Sequence, residues 1–231
     1  ALHARRAPGN TCLSALRSGT MGSTRERING SKGCGGIMRV APVGLAGDDP
    51  FALGCELAAI THGHPSGYLA AGFFASLIAD VVAGAPLGVA VAVASDALRT
   101  YPDHAECLRA VEAATRLADS ASPTPERVET LGQGWVAEEA LAISLYCSLT
   151  AASFEDAVVL SVNHGGDSDS TGAITGNILG ALWGRAVIPT RWLDSLELRD
   201  EIEQVATDLS THFGADDPPP PDADWEKYPG W

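Results

Sequence analysis

An all-α fold is what the sequence predicts, and three observations predict it. Helix starts are marked by capping residues, Asp49 ahead of Pro50 and Ser153 ahead of Phe154-Glu155-Asp156. Residues 103 to 119 place Cys107, Leu108, Val111, Ala114 and Leu117 on one face at helical spacing. No run alternates apolar and polar side chains convincingly over the length of a strand, and no internal repeat is visible. At 231 residues and 45% hydrophobic content the chain can bury a substantial core. We therefore expect one single-domain helical bundle over residues 1–214, followed by an acidic tail rich in Pro and aromatics over 215–231.

In order, Asn10-Thr11 caps a short helix that Gly19 ends, and residues 18 to 36 form a long loop dense in Gly, Ser and charge. Asp49-Pro50 starts a helix to about Thr61. Two Ala- and Val-rich helices, Ser66 to Val82 and Pro86 to Arg99, read as buried, and the amphipathic helix follows. Ser122-Pro123-Thr124-Pro125 is a break too short to separate two cores. Gly132-Gln133-Gly134-Trp135 opens a helix from about Val136 to Leu149, where Glu138 and Glu139 face the positive end of the dipole. Ser153 caps the helix that delivers the chain to His164. Gly172, Gly176, Gly180 and Gly184 then recur every four residues. Each Gly inside a helix costs ~1 kcal/mol relative to Ala, so this stripe predicts a central helix pressed against a neighbouring backbone. Pro189 starts a short turn, Leu198 to Phe213 is a helix stopped by Gly214, and Trp225, Tyr228 and Trp231 are expected to dock an extended tail.

Composition excludes several classes of partner. A formal charge of −14 argues against direct nucleic-acid binding, which needs clustered Lys and Arg. The charge is uneven: residues 1–40 carry seven basic and one acidic side chain, residues 194–231 two basic and eleven acidic. Five cysteines, odd in number and never spaced C-x-x-C, read as reduced thiols of a cytoplasmic protein. The longest apolar region, 68–94, is interrupted by Asp80 and Gly84-Ala85-Pro86, leaving pieces shorter than the ~20 residues of a membrane span. No signal peptide is visible, and a start on Ala1 is expected of a processed or longer chain.

One stretch concentrates chemistry. Asn163-His164-Gly165-Gly166-Asp167-Ser168-Asp169-Ser170-Thr171 crowds hard oxygen donors onto a turn that opens a helix. Two carboxylates two residues apart in an extended segment point to one side, so Asp167 and Asp169 can converge on a cation, with Ser170 or Thr171 adding a hydroxyl. The same residues also serve as a helix N-cap behind a Gly-Gly turn. A second stretch, Asn29 to Gly36, brings closely spaced glycines to a helical turn carrying Arg39. It is neither a Walker A, lacking the closing Gly-Lys-Ser/Thr, nor a Rossmann fingerprint, lacking a preceding strand. His62 and His64 end a helix without a third metal ligand nearby, so His62 reads as a polar contact to a ligand before a zinc ligand.

Together these motifs resemble the ADP-ribosylglycohydrolase family. The resemblance is carried by G-S-K-G-C-G-G-I-M-R-V-A-P at 30–42, T-H-G-H-P at 61–65, G-Q-G-W-V-A-E-E-A at 132–140, and N-H-G-G-D-S-D-S-T-G at 163–172 followed by G-N-I-L-G-A-L-W-G. It implies an orthogonal helical bundle and hydrolysis of the N- or O-glycosidic bond joining ADP-ribose to a protein side chain or small molecule, with a pair of Mg²⁺ or Mn²⁺ ions. Asp167 and Asp169 would be carboxylate ligands of the metal and the catalytic pair, and Ser170 the hydroxyl ligand. Gly30, Ser31, Lys32, Gly33, Cys34 and Gly35 would hold the diphosphate and ribose, and His62 would contact the ligand.

The resemblance covers the C-terminal two-thirds or so of the family pattern. The N-terminal Glu and Thr-Asp-Asp-Thr motif that complete the family's metal site do not occur in this sequence. Two expectations follow: a separate or additional N-terminal segment completes a hydrolase, or the chain is a catalytically silent ADP-ribose-binding module. A D-x-D phosphatase is a weaker alternative, because although residues 158–162 pass for a strand, no sheet surrounds them.

Overall fold

A single long helix organises the main body of the chain. In α3 (Pro65–Val82) every residue from Pro65 to Ala75 is buried, and such a helix, apolar on all sides, belongs at the centre of a core. The computed structural model describes residues 7–120 and 122–214. Among them are eleven α-helices and no strand, and they fall into two units, one ending at Ile188 and one starting at Pro189.

The first unit opens with α1 (Asn10–Ser18), then a loop and two 3-10 turns, Ile37–Arg39 and Ala41–Leu45. Asn10 is the first helical residue of α1, with Gly9 at its cap, and Gly19 closes it in the left-handed conformation. α2 (Pro50–Ala59) starts as expected: the Asp49 carboxylate accepts the Ala52 N–H. It lies tightly along α3, where a Cβ at Gly72 would sit 2.7 Å from the Phe51 carbonyl oxygen. α4 (Leu87–Arg99) and α5 (Ala105–Ala118) cover further faces, with Cys107, Val111 and Ala114 turned inward as the spacing predicts. The predicted break at Pro125 holds a short helix, α6 (Pro125–Glu129), started by Pro in its first position.

α7 (Ala137–Thr150) is the second core helix, buried along most of its length, and α8 (Phe154–Val162) starts where the Ser153 hydroxyl accepts the Asp156 N–H. Residues 158–162 are therefore helical. α9 (Ser168–Trp183) packs on α3, α7 and α8 through Ile174, Thr175, Ile178 and Leu179. Its glycine stripe behaves differently from the expectation. Gly172 meets Val162, but Cβ atoms at Gly176 and Gly180 would have nothing within 4 Å, and Gly184 is the C-cap at φ +77°. Both glycines line an open groove of about 570 Å³ shared with Met38, Pro42, Ile78 and Val82. The close glycine contacts of the core are on α3 instead, with α2 at Gly54 and Gly72 and with the second 3-10 turn at Gly44.

A third 3-10 turn, Arg185–Val187, ends the first unit. The second unit holds α10 (Thr190–Asp194) and α11 (Arg199–Gly214). The expected tail over 215–231, with its aromatics, lies outside the described residues. All five cysteines are free thiols. By length and composition α3 could cross a membrane, yet 78% of it is buried inside the fold.

Candidate active site

The mouth of α9 forms one wall of a cleft of about 790 Å³. The chain reaches it through a tight turn: a Cβ at Gly166 would overlap the Gln133 backbone, and Asp167 N donates to Gln133 O at 2.7 Å. His164 braces this turn. Its Nδ1 accepts the Gly166 N–H at 3.1 Å, so Nε2 carries the proton and donates to Thr171 Oγ1 at 3.0 Å. Thr171 in turn donates to Ser161 O at 2.6 Å.

Asp167 and Asp169 do converge, but for another reason than strand periodicity. Asp167 is the N-cap residue of α9 and Asp169 lies in its first turn, so the start of the helix folds them together. Asp167 makes no cap hydrogen bond; its Oδ2 instead accepts Cys34 Sγ at 2.8 Å and Ser170 Oγ at 3.1 Å. Asp169 Oδ1 accepts the Ser170 N–H at 2.9 Å. Burial alone would raise the Asp167 carboxyl, but hydrogen bonds from Asp169, Cys34 and Ser170 outweigh it and hold the group below the usual carboxylate range. The hydrogen bond to Asp167, then burial, pushes Asp169 above the usual carboxylate range, so the two carboxyls are driven in opposite directions.

The facing wall is the glycine loop. Gly33 pairs antiparallel with Val136, Cys34 N donates to Trp135 O at 3.1 Å, and Ala137 N donates to Lys32 O at 2.8 Å. This short bridge fastens the loop to the start of α7. Beneath it lies His62, 2% exposed, with its ring against Gly33 and Gly35; a Cβ at Gly35 would come within 3.1 Å of it. Arg39 donates to Thr61 Oγ1 at 2.8 Å, and Thr61 Oγ1 shares a 2.7 Å hydrogen bond with His62 Nδ1. Burial, then the Arg39 charge, lowers the imidazole to about 4, so the ring is neutral. Burial, then the hydrogen bond to Asp167, pushes the Cys34 thiol up to about 12.

The cleft thus gathers Gly33, Cys34, Gly35, His62, Asp167, Asp169 and Ser170 from the predicted set, but not Gly30, Ser31 or Lys32. Ser31 Oγ bonds Thr11 Oγ1 at 3.1 Å. Lys32 donates to Glu106 at 2.6 Å and to Glu138, away from the cleft. Burial would lower its ammonium, but those two bonds outweigh it and raise it, while the Lys32 and Ser66 hydrogen bonds lower Glu106. Glu138 and Glu139 stand in the first turn of α7 as expected; Glu138 is in addition the buried partner of Lys32, and Glu139 accepts the Gln133 and Gly134 N–H groups. Sequence reasoning missed Trp135, 57% exposed at the cleft edge, and the start of α1 that closes one side. A large aromatic directly after Gly-Gln-Gly was the available signal for Trp135.

The donors suit a hard cation: two carboxylates and a hydroxyl, all oxygen, on one wall of the cleft. Their number falls short of the six ligands Mg²⁺ takes. Among the described residues no group of three or more His, Cys, Asp or Glu side chains is placed to hold a metal ion.

Comparison with known proteins is consistent across sequence and structure. A family model described as ADP-ribosylglycohydrolase matches residues 2–219. An uncharacterized protein of Archaeoglobus fulgidus is 33% identical over 193 residues, covering 76% of this chain and 57% of its own length. The ADP-ribosyl-[dinitrogen reductase] glycohydrolase of Rhodospirillum rubrum is 27% identical over 206 residues, covering 84% and 62%. A solved ADP-ribosylglycohydrolase-related protein complex superposes with a TM-score of 0.72 at 31% identity, covering 87% of this chain and 68% of that one. The chain spans about three-fifths of the length of these two sequence relatives. With nearly the whole chain matched, it belongs to the ADP-ribosylglycohydrolase family.

Proposed function

We propose that this chain carries the ligand cleft of a hydrolase that releases ADP-ribose from a modified protein side chain or small molecule by cleaving an N- or O-glycosidic bond. The observation that carries the reading is the pairing of two walls across one cleft, Asp167-Asp169-Ser170 on one side and Gly33-Cys34-Gly35 over His62 on the other. The glycine edge admits close approach of a diphosphate and ribose, the neutral His62 offers a hydrogen bond to an oxygen, and Trp135 presents a flat aromatic face at the edge. Asp167, Asp169 and Ser170 would hold Mg²⁺ or Mn²⁺, which when bound supplies water activation and charge stabilisation for an oxocarbenium-like transition state. The three residues would also orient the ribose hydroxyls. Because three ligands are fewer than a metal pair takes, we place the rest on a further segment, in line with the greater length of the relatives.

A second reading, an ADP-ribose-binding module without turnover, is favoured by the lack of a three-ligand group among the described residues. The full chain is incubated with Mg²⁺ or Mn²⁺ and ADP-ribosylated arginine, serine and small-molecule substrates, and released ADP-ribose is measured beside thermal stability. Release supports the hydrolase. Stabilisation by ADP-ribose without release supports the module, and neither effect overturns both.

A further inference from the structure

We infer that Cys34 is a positioning residue for Asp167, its thiol fixing the carboxylate rather than touching the substrate. The inference rests on reading Asp167 as a cation ligand. Cys34 Sγ and Ser170 Oγ both reach Asp167 Oδ2, at 2.8 and 3.1 Å, and lie 3.4 Å from each other. Two donors on one oxygen, from opposite walls of the cleft, fix the carboxylate in orientation as well as in place. The thiol has little freedom to do anything else. Cys34 N donates to Trp135 O at 3.1 Å, while Cys34 O accepts Ile37 N at 3.1 Å and Met38 N at 3.3 Å. The backbone is therefore held on both sides, and the residue is 8% exposed.

The arrangement answers why a thiol-bearing residue interrupts a run of glycines. Gly33 and Gly35 let the backbone lie on His62, and only the residue between them sends a side chain across to α9. Hydrogen bonds of this kind orient metal ligands, and their loss commonly costs 10–100-fold in metal affinity.

The test is Mn²⁺ binding to the full chain, followed by the paramagnetic resonance signal of free Mn²⁺, for the wild type, Cys34→Ala and Cys34→Ser, each checked by a thermal melt. Cys34→Ala should weaken Mn²⁺ binding about 10-fold or more with the melt preserved, and Cys34→Ser, which keeps a donor, should return to within about threefold of wild type. Affinity in Cys34→Ala within about twofold of wild type overturns the inference while leaving the cation site standing. Cys34→Ser binding as weakly as Cys34→Ala also overturns it, since bulk rather than a hydrogen bond would then matter. If Cys34→Ala does not fold, Cys34→Ser decides alone: a loss of about 10-fold overturns the inference and near-wild-type binding supports it. A wild type that binds no Mn²⁺ at millimolar concentration removes the cation reading, and this inference with it.

Discussion

The ammonium of Lys32 is bonded to the carboxylate of Glu138, a residue 5% exposed in the first turn of α7. The pair ties the glycine loop to a core helix, and the second Glu138 oxygen has no partner of its own. Lys32→Met leaves a buried carboxylate uncompensated and should cost about 2 kcal/mol, below the ~3–5 kcal/mol of a fully buried pair because the Lys32 side chain is 32% exposed. Urea unfolding should show a lower midpoint at an unchanged slope. Pairing it with Glu138→Met should recover most of the loss, and an unshifted midpoint in Lys32→Met alone would remove the pair as a support.

Gly176→Ala and Gly180→Ala should each stabilise the chain by about 0.5–1 kcal/mol, because a methyl group there meets nothing and Ala favours the helix. Gly72→Ala should do the opposite, losing about 1–3 kcal/mol to overlap with α2. Three thermal melts decide it, and destabilisation by Gly176→Ala would mean that this face of α9 is covered.

Asp169→Ala should abolish ADP-ribose release with little loss of stability, since the residue is exposed and sits in an acidic pair. Rates measured beside a melt separate the two effects. Full activity in a folded Asp169→Ala would take this carboxylate out of the chemistry.

His62 should make stability depend on pH in a defined window. Its folded-state pKa lies at about 4, below the ordinary 6.5, so the unfolded chain binds more protons between those values. The contribution is complete above pH 6.5 and is lost as pH falls toward 4. Unfolding free energies from pH 7 to 4 should fall more steeply in the wild type than in His62→Gln; parallel curves would contradict a buried neutral imidazole.

What the sequence disclosed was what short range decides. Asp49 and Ser153 cap their helices through N–H groups three residues on, so those starts were legible. The Asp167-Asp169-Ser170 corner was legible for the same reason, even though a helical turn rather than an extended segment brings it together. The glycine spacing of α9 was misleading because a run of glycines does not say which face meets a neighbour. Lys32 looked available to a phosphate because its partners, Glu106 and Glu138, stand 74 and 106 positions away.

The two walls of the cleft meet where Cys34 touches Asp167, across 133 positions of chain. A contact of that span closes a long loop, and its entropic cost is recovered only once α3 and α7 are packed between the ends. Assembly of the cleft therefore belongs late in folding, after the central helices have condensed. A nascent or clipped chain holding just one wall would contain only half of the groups described and should bind more weakly, so ligand affinity becomes a reporter of complete folding.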